Sequence, residues 1–203
     1  MGLKWIESSL CIKDKKQLDK EKFYGVCKEY CDYVISRDKN PYASKLLLIE
    51  ELLNDNCALT AMPDYKFFCS FGKVFFAYFA TGGEDVKADS KRYSFYKIKD
   101  WKKMPLIYGR HPPVDFDCRP KSLKKMIEIS EKLSYNLPLI RVDLYECNGK
   151  VYFGEFTTYS GDATSIFEPT IWDYKLGKII GKVVSVDKLK NMIDDDKKIY
   201  AEN

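Results

Sequence analysis

Hydrophobic and polar positions alternate most clearly between residues 137 and 159, where the chain reads LPLIRVDLYECNGKVYFGEFTTY. This pattern predicts two β-strands, and the Asn148-Gly149 pair between them is a strong signal for a hairpin turn. Successive side chains of a strand point to opposite faces, so we expect Arg141 and Asp143 to share one face of the first strand.

Glu155 and Thr157 should share one face of the second strand by the same rule. Whether Glu155 meets Asp143 depends on the turn. A two-residue loop puts the two acids on opposite faces, whereas a three-residue loop with Gly149 in the left-handed region brings them together. We predict the three-residue loop for a chemical reason. Two facing carboxylates repel each other without a cation, and with a neutral oxygen they form a magnesium site. The alternative is that both acids are edge-strand charges facing water.

The rest of the chain predicts a mixture of helices and strands. Helical periodicity appears around residues 23–34 and 123–133. Strands are predicted at 65–69 and 74–79, joined as a second hairpin, and at 92–96. Residues 45–53, KLLLIEELL, fit either a buried strand or a short amphipathic helix.

Composition restricts the class of protein. The chain has 203 residues with 45% hydrophobic residues, enough for one domain with a core, or for one domain and a small appendage. The net charge of +4 is too balanced, and the lysine clusters are too dispersed, to indicate nucleic-acid binding. The seven cysteines have no CxxC spacing, and neither a signal peptide nor a transmembrane segment is evident. We therefore expect a cytoplasmic protein.

Several blocks of the sequence resemble one known family. They are PDYKFFCSFGK at 63–73, RYSFYKIKDWKKMPLIYG at 92–109, KSLKKMIEISEKL at 121–133, RVDLYECNGKVYFGEFTTYSG at 141–161 and FEPTIWDYKLG at 167–177. In this order they resemble the C-terminal part of TupA-like ATP-grasp proteins, a family associated with teichuronopeptide and other cell-surface polysaccharide synthesis.

The resemblance implies an α+β fold, with an antiparallel sheet, packed helices and an ATP-grasp-like C-terminal lobe that lacks the N-terminal lobe. We expect an N-terminal segment at 1–44, the catalytic lobe at 45–186 and a charged tail at 187–203. Either a partner chain would supply the missing lobe, or the protein would be a degenerate member of the family that no longer binds ATP.

The resemblance also implies ATP and Mg²⁺ as cofactors. Asp143, Glu155 and Thr157 would be metal ligands, and Arg141 would stabilise the transferring phosphoryl group.

For the nucleotide, Lys66 would face the phosphates, and Glu50, Glu51 and Leu53 would lie near the adenine and ribose. The alternative for Lys66 is a lysine that extends from a half-buried strand to water. The alternative for Glu50 and Glu51 is a helix with both acids in water.

The implied function is that of an ATP-dependent ligase, or half of one. It would activate a carboxylate on a saccharide or peptide substrate. The alternative is a non-catalytic module derived from such an enzyme, which would bind another protein through an exposed sheet edge.

Overall fold

The chain forms two compact units, residues 1–54 and 55–203. The computed structural model describes residues 16, 18–37, 53, 62–81, 91–109, 111–116, 118–158, 160 and 165–181. The expected segment boundary after residue 44 and the expected tail from residue 187 lie outside these residues.

The described part of the first unit is mainly one helix, α1, from Lys20 to Arg37. Asp19 caps its N-terminus, because the Asp19 Oδ1 accepts a hydrogen bond from the backbone N–H of Lys22 at 3.1 Å. The helix predicted around residues 23–34 is therefore confirmed, and Cys27 on its apolar stripe is buried.

The second unit contains seven strands and two helices in its described part. The strands are β1 Asp64–Ser70, β2 Lys73–Thr81, β3 Arg92–Lys97, β4 Ile107–Tyr108, β5 Ile140–Cys147, β6 Lys150–Thr157 and β7 Phe167–Glu168. The helices are α2 Leu123–Leu133 and α3 Ile171–Gly181. None of the helices in the described segments is long and apolar enough to span a membrane.

Five of the strands pair in the order β3-β2-β1-β5-β6, and every pairing is antiparallel. Strands β4 and β7 form a separate two-stranded sheet. The α+β fold with an antiparallel sheet and packed helices is thus confirmed, together with the predicted hairpin of β1 and β2 and the predicted strand at 92–96.

The two faces of the five-stranded sheet differ in character. One face, here called the helix face, carries Phe67 of β1 and Val142 of β5, which pack with Met126 of α2, and all three are fully buried. A carboxylate ties α2 to the sheet, since Glu146 Oε1 and Oε2 accept hydrogen bonds from backbone N–H groups just before the helix at 2.7 and 2.9 Å. Such an anion is favourable at a helix N-terminus.

The opposite face, here called the polar face, carries Lys66 of β1 and Asp143 of β5. Beside them it has a second apolar cluster, which includes Tyr78 and Phe95 of the sheet and Leu176 of α3. The site described below lies on the polar face.

The turn between β5 and β6 differs from the prediction. Cys147 pairs with Lys150, so the loop has two residues, Asn148 and Gly149, with φ of 50° and 74°. The predicted three-residue loop is wrong, because two consecutive positive φ angles fit the twist of a two-residue hairpin.

A β-bulge farther along the hairpin restores the shared face. Leu144 pairs with Phe153 but Val142 pairs with Phe156, so two residues of β6, Gly154 and Glu155, oppose the single Asp143. An extra residue in one strand moves the side chains that follow it in that strand to the opposite face of the sheet. Glu155 therefore lies on the same face as Asp143, for a different reason from the one predicted.

Candidate functional site

The predicted charged residues of the hairpin converge on the polar face. Asp143 lies on β5, which is flanked by β1 and β6, and its side chain is 0% exposed. Arg141, two residues earlier on the same face, is buried as well, whereas Glu155 on the edge strand β6 has a side chain that is 63% exposed. The alternative of edge charges facing water thus fits Glu155 but not Asp143.

Arg141 links the two acids. Its Nε donates to Asp143 Oδ1 at 2.7 Å, and its Nη2 donates to Asp143 Oδ2 at 2.6 Å. The same Nη2 donates to Glu155 Oε1 at 3.0 Å. Paired N–H donors of a guanidinium fit a carboxylate well. Burial lowers the pKa of Arg141, but the hydrogen bonds to Asp143 and the surrounding negative charge outweigh it and raise the pKa overall.

Lys66 on β1 joins this group from the neighbouring strand. It lies directly opposite Asp143 in the ladder, and its ammonium donates to Asp143 Oδ2 and contacts Asp64 Oδ2 at 2.6 Å. Its side chain is 13% exposed, so it does not extend to water as the alternative supposed. Burial lowers its pKa, but Asp64 and Asp143 outweigh that effect, and the pKa is raised overall. Lys66 is therefore a permanent cation of the site.

Asp64 belongs to the same cluster and was not predicted. It lies two residues before Lys66 on β1, which is the spacing that puts both on one face, and this spacing was the available signal. Its Oδ1 is buried and has no hydrogen-bond partner among the described residues. Burial raises the pKa of Asp64 to about 6, although Lys66 acts in the opposite direction.

Hydroxyl groups complete the polar face near the edge of the sheet. Thr157, opposite Arg141 in the ladder, donates its hydroxyl to Glu155 Oε1 at 3.0 Å. Ser160 Oγ accepts a hydrogen bond from Arg141 Nη1 at 3.0 Å. A cavity of about 230 Å³ adjoins this region, and its walls contain Phe68, Tyr108, Leu139, Arg141, Thr157, Thr158, Ser160, Ser165 and Phe167.

The oxygens of Asp143, Glu155 and Thr157 fit a magnesium ion in chemical type, since Mg²⁺ prefers carboxylate and other oxygen ligands. The cluster also has three carboxylates against two cations, so it retains negative charge. In the described residues, no group of three or more His, Cys, Asp or Glu side chains is arranged to hold a metal. A bound ion would have to compete with Arg141 and Lys66 for these carboxylates.

The residues predicted to contact adenine and ribose are described only in part. Glu50 and Glu51 lie outside the described residues, as does the choice between strand and helix for the segment that contains them. Leu53 belongs to the unit 1–54 and is half-buried.

Comparison with known proteins identifies the family of the chain. Residues 7–181 match the family model described as TupA-like ATPgrasp. No curated protein and no solved structure shows a significant match to the chain. Because the family match covers most of the chain, the protein belongs to the TupA-like ATP-grasp family.

Proposed function

We propose that the protein uses ATP and Mg²⁺ to activate a carboxylate on a saccharide or peptide during the synthesis of cell-surface polysaccharide. The reaction would take place in the cytoplasm, because ATP is the phosphoryl donor. The observation that supports this proposal best is the convergence of Arg141, Asp143 and Glu155 with Lys66 on one face of the sheet. A family match over 7–181 is consistent with the same chemistry.

The proposed roles follow from the charges of the site. Phosphoryl transfer needs positioned cations more than covalent catalysis, because negative charge is spread over the transferring group. Arg141 supplies a planar guanidinium that is charged at every physiological pH. Lys66 supplies a second cation, fixed between Asp64 and Asp143. We assign Arg141 to the transferring phosphoryl group and Lys66 to the phosphates.

For the metal, we assign Asp143 and Glu155 as direct ligands and Thr157 as a weaker one that binds directly or through water. Held by these residues, a Mg²⁺ ion would supply positive charge that offsets the charge of the phosphates. The bond between Arg141 Nη2 and Glu155 Oε1 joins these two parts of the site, since it connects the phosphoryl-binding cation to a metal ligand.

The proposed reaction has two steps. A carboxylate oxygen of the substrate forms a bond to the γ-phosphorus of ATP. The bond from that phosphorus to the bridging oxygen breaks, and ADP leaves with the electron pair. An amine nitrogen then forms a bond to the acyl carbon, inorganic phosphate leaves, and the proton of the amine goes to solvent.

Calorimetric titration with a non-hydrolysable ATP analogue, with and without Mg²⁺, tests the proposal. We expect binding that requires Mg²⁺ and that is lost in Asp143→Asn and in Glu155→Gln. Glu128→Gln is the matched control, because Glu128 is an exposed carboxylate on α2 and should leave binding unchanged. Retention of Mg²⁺-dependent binding in both site variants would remove the metal assignment, and absence of binding in the unmodified protein would refute the proposed function.

A second candidate is the non-catalytic interaction module. Strand β6 is an edge of the described sheet, and Phe153 and Phe156 on it are 50% and 45% exposed, with ring centroids 5.0 Å apart. Exposed apolar edge strands are sites of strand pairing with another chain. This candidate predicts no affinity for nucleotide, and self-association in sedimentation experiments that Phe156→Ser weakens.

A further inference from the structure

One N–H group of the Arg141 guanidinium has no hydrogen-bond partner within the part of the chain that the structure describes. A guanidinium carries five N–H donors. Four of them are used within the described residues, by both oxygens of Asp143, by Glu155 Oε1 and by Ser160 Oγ. The remaining N–H is on Nη1, which is the nitrogen that Ser160 binds.

Ser160 restrains the orientation of the Arg141 guanidinium plane, which the bonds to Asp143 alone do not fix. Asp143 binds the guanidinium along one edge, through Nε and Nη2, so the plane can still tilt about the line between these two nitrogens. The 3.0 Å hydrogen bond from Nη1 to Ser160 Oγ lies on the other edge and opposes this tilt. The direction of the remaining N–H therefore depends on Ser160.

Ser160 is held in turn by the small sheet. It lies beyond the end of β6, outside the five-stranded sheet. The hydroxyl of Tyr108 on β4 donates to the backbone carbonyl of Ser160 at 3.1 Å. Tyr108 is itself buried and pairs with Phe167 of β7. The position of Ser160 is thus set by a part of the fold that contributes no charge to the cluster.

Arg141, Ser160 and Tyr108 all line the same cavity of about 230 Å³. The remaining N–H of Arg141 thus belongs to a side chain at the cavity wall. We propose that Ser160 and Tyr108 are positioning residues, which orient Arg141 Nη1 toward the phosphoryl group as it is transferred. This inference rests on the proposed function and deepens it, because it explains how the phosphoryl-binding cation is fixed.

The test compares two affinities of the intact protein. One is the affinity for MgADP, and the other is the affinity for MgADP with aluminium fluoride, which mimics the transferring phosphoryl group. We expect Ser160→Ala to leave MgADP binding unchanged and to reduce the gain from aluminium fluoride on the order of tenfold, the scale of one hydrogen bond to a charged group. Ser160→Thr keeps the hydroxyl and should restore the gain, and Tyr108→Phe should lose part of it.

Ser165→Ala is the matched control, since Ser165 lines the same cavity but has no described hydrogen bond to Arg141. A merely structural role would weaken both affinities together, or would affect Ser165→Ala equally. Either of these results would overturn the inference, as would an undiminished gain in Ser160→Ala. If the unmodified protein binds neither MgADP nor its aluminium fluoride complex, the proposed function fails and this inference falls with it.

Discussion

Lys66 and Asp143 are direct cross-strand partners in the centre of the sheet, and their side chains form an ion pair although 77 residues separate them in the chain. Two of the charged groups predicted for the site thus meet through the pairing of β1 with β5, and not only through the hairpin that contains Asp143. This pairing makes the charge on Asp143 important for the fold as well as for the proposed chemistry.

Replacing Asp143 should destabilise the protein far more than replacing Glu155. Asp143→Asn leaves the buried Arg141 and the partly buried Lys66 without their common counter-ion. Removing one partner of a buried ion pair costs roughly 3–5 kcal/mol. Glu155→Gln should cost less than about 1 kcal/mol, because the Glu155 side chain is 63% exposed. Urea unfolding of both variants measures the difference, and equal losses would contradict the central role of Asp143.

The titration of Asp64 should lower the free energy of unfolding as the pH rises from about 4 to about 6. Burial raises the pKa of Asp64 from the ordinary value of 3.8 to about 6 in the folded protein. The folded state therefore binds this proton more tightly than the unfolded state does. The resulting contribution to stability is fully present below about pH 4 and is lost as the pH rises through about 6.

Asp64→Asn removes this titration, so the variant is the reference against which the unmodified protein is compared. Between pH 4 and pH 7, the free energy of unfolding of the unmodified protein should fall relative to that of the variant by about 2–3 kcal/mol. Chemical denaturation at each pH measures the difference. A difference that grows with pH would show that Lys66, and not burial, dominates the pKa of Asp64.

A side chain at Gly154 should disturb the bulge. A Cβ there would lie 2.7 Å from Tyr145 Cε2 and 3.2 Å from the backbone oxygen of Asp143. Gly154→Ala should therefore destabilise the protein by about 1–3 kcal/mol. The matched control is Gly177→Ala in α3, where a Cβ meets nothing within 4 Å and alanine should stabilise the helix by about 0.5–1 kcal/mol. Thermal unfolding of both variants should give shifts of opposite sign.

The hairpin turn offers a test of the observed register. Asn148 has a φ of 50°, a left-handed conformation that asparagine tolerates better than alanine does. Asn148→Ala should cost about 1 kcal/mol, whereas Asn148→Gly should be close to neutral, because glycine adopts positive φ without a steric penalty. Unfolding in denaturant compares them, and an equal cost for both variants would argue against the two-residue turn.

The sequence predicted the faces of the strands better than their register. Alternation around Arg141 and Asp143 placed both on one face, and the structure agrees. The Asn148-Gly149 pair fits more than one loop length, so local propensity could not decide the turn. The bulge at Gly154 lies beyond the turn, and no turn signal indicates it.

Long-range pairing explains the other differences. That Lys66 would lie opposite Asp143 depends on which strands become neighbours, and neither local pattern contains this information. Alternation on β1 puts Asp64 on the same face as Lys66, but this local pattern does not show that Lys66 joins Asp64 to Asp143. The contact between Ser160 and Arg141 joins residues 19 positions apart, so no local pattern indicates it.

Because of the bulge, the number of residues in β6 determines whether the Glu155 carboxylate lies on the polar face. From the turn to Phe153 the strand is paired residue for residue, and the single extra residue in the bulge that follows decides which way Glu155 faces. Substitutions of many side chains in that stretch would leave Glu155 on the same face of the sheet. Deletion of one residue would send its carboxylate to the helix face, so the length of this segment determines which face the acid occupies.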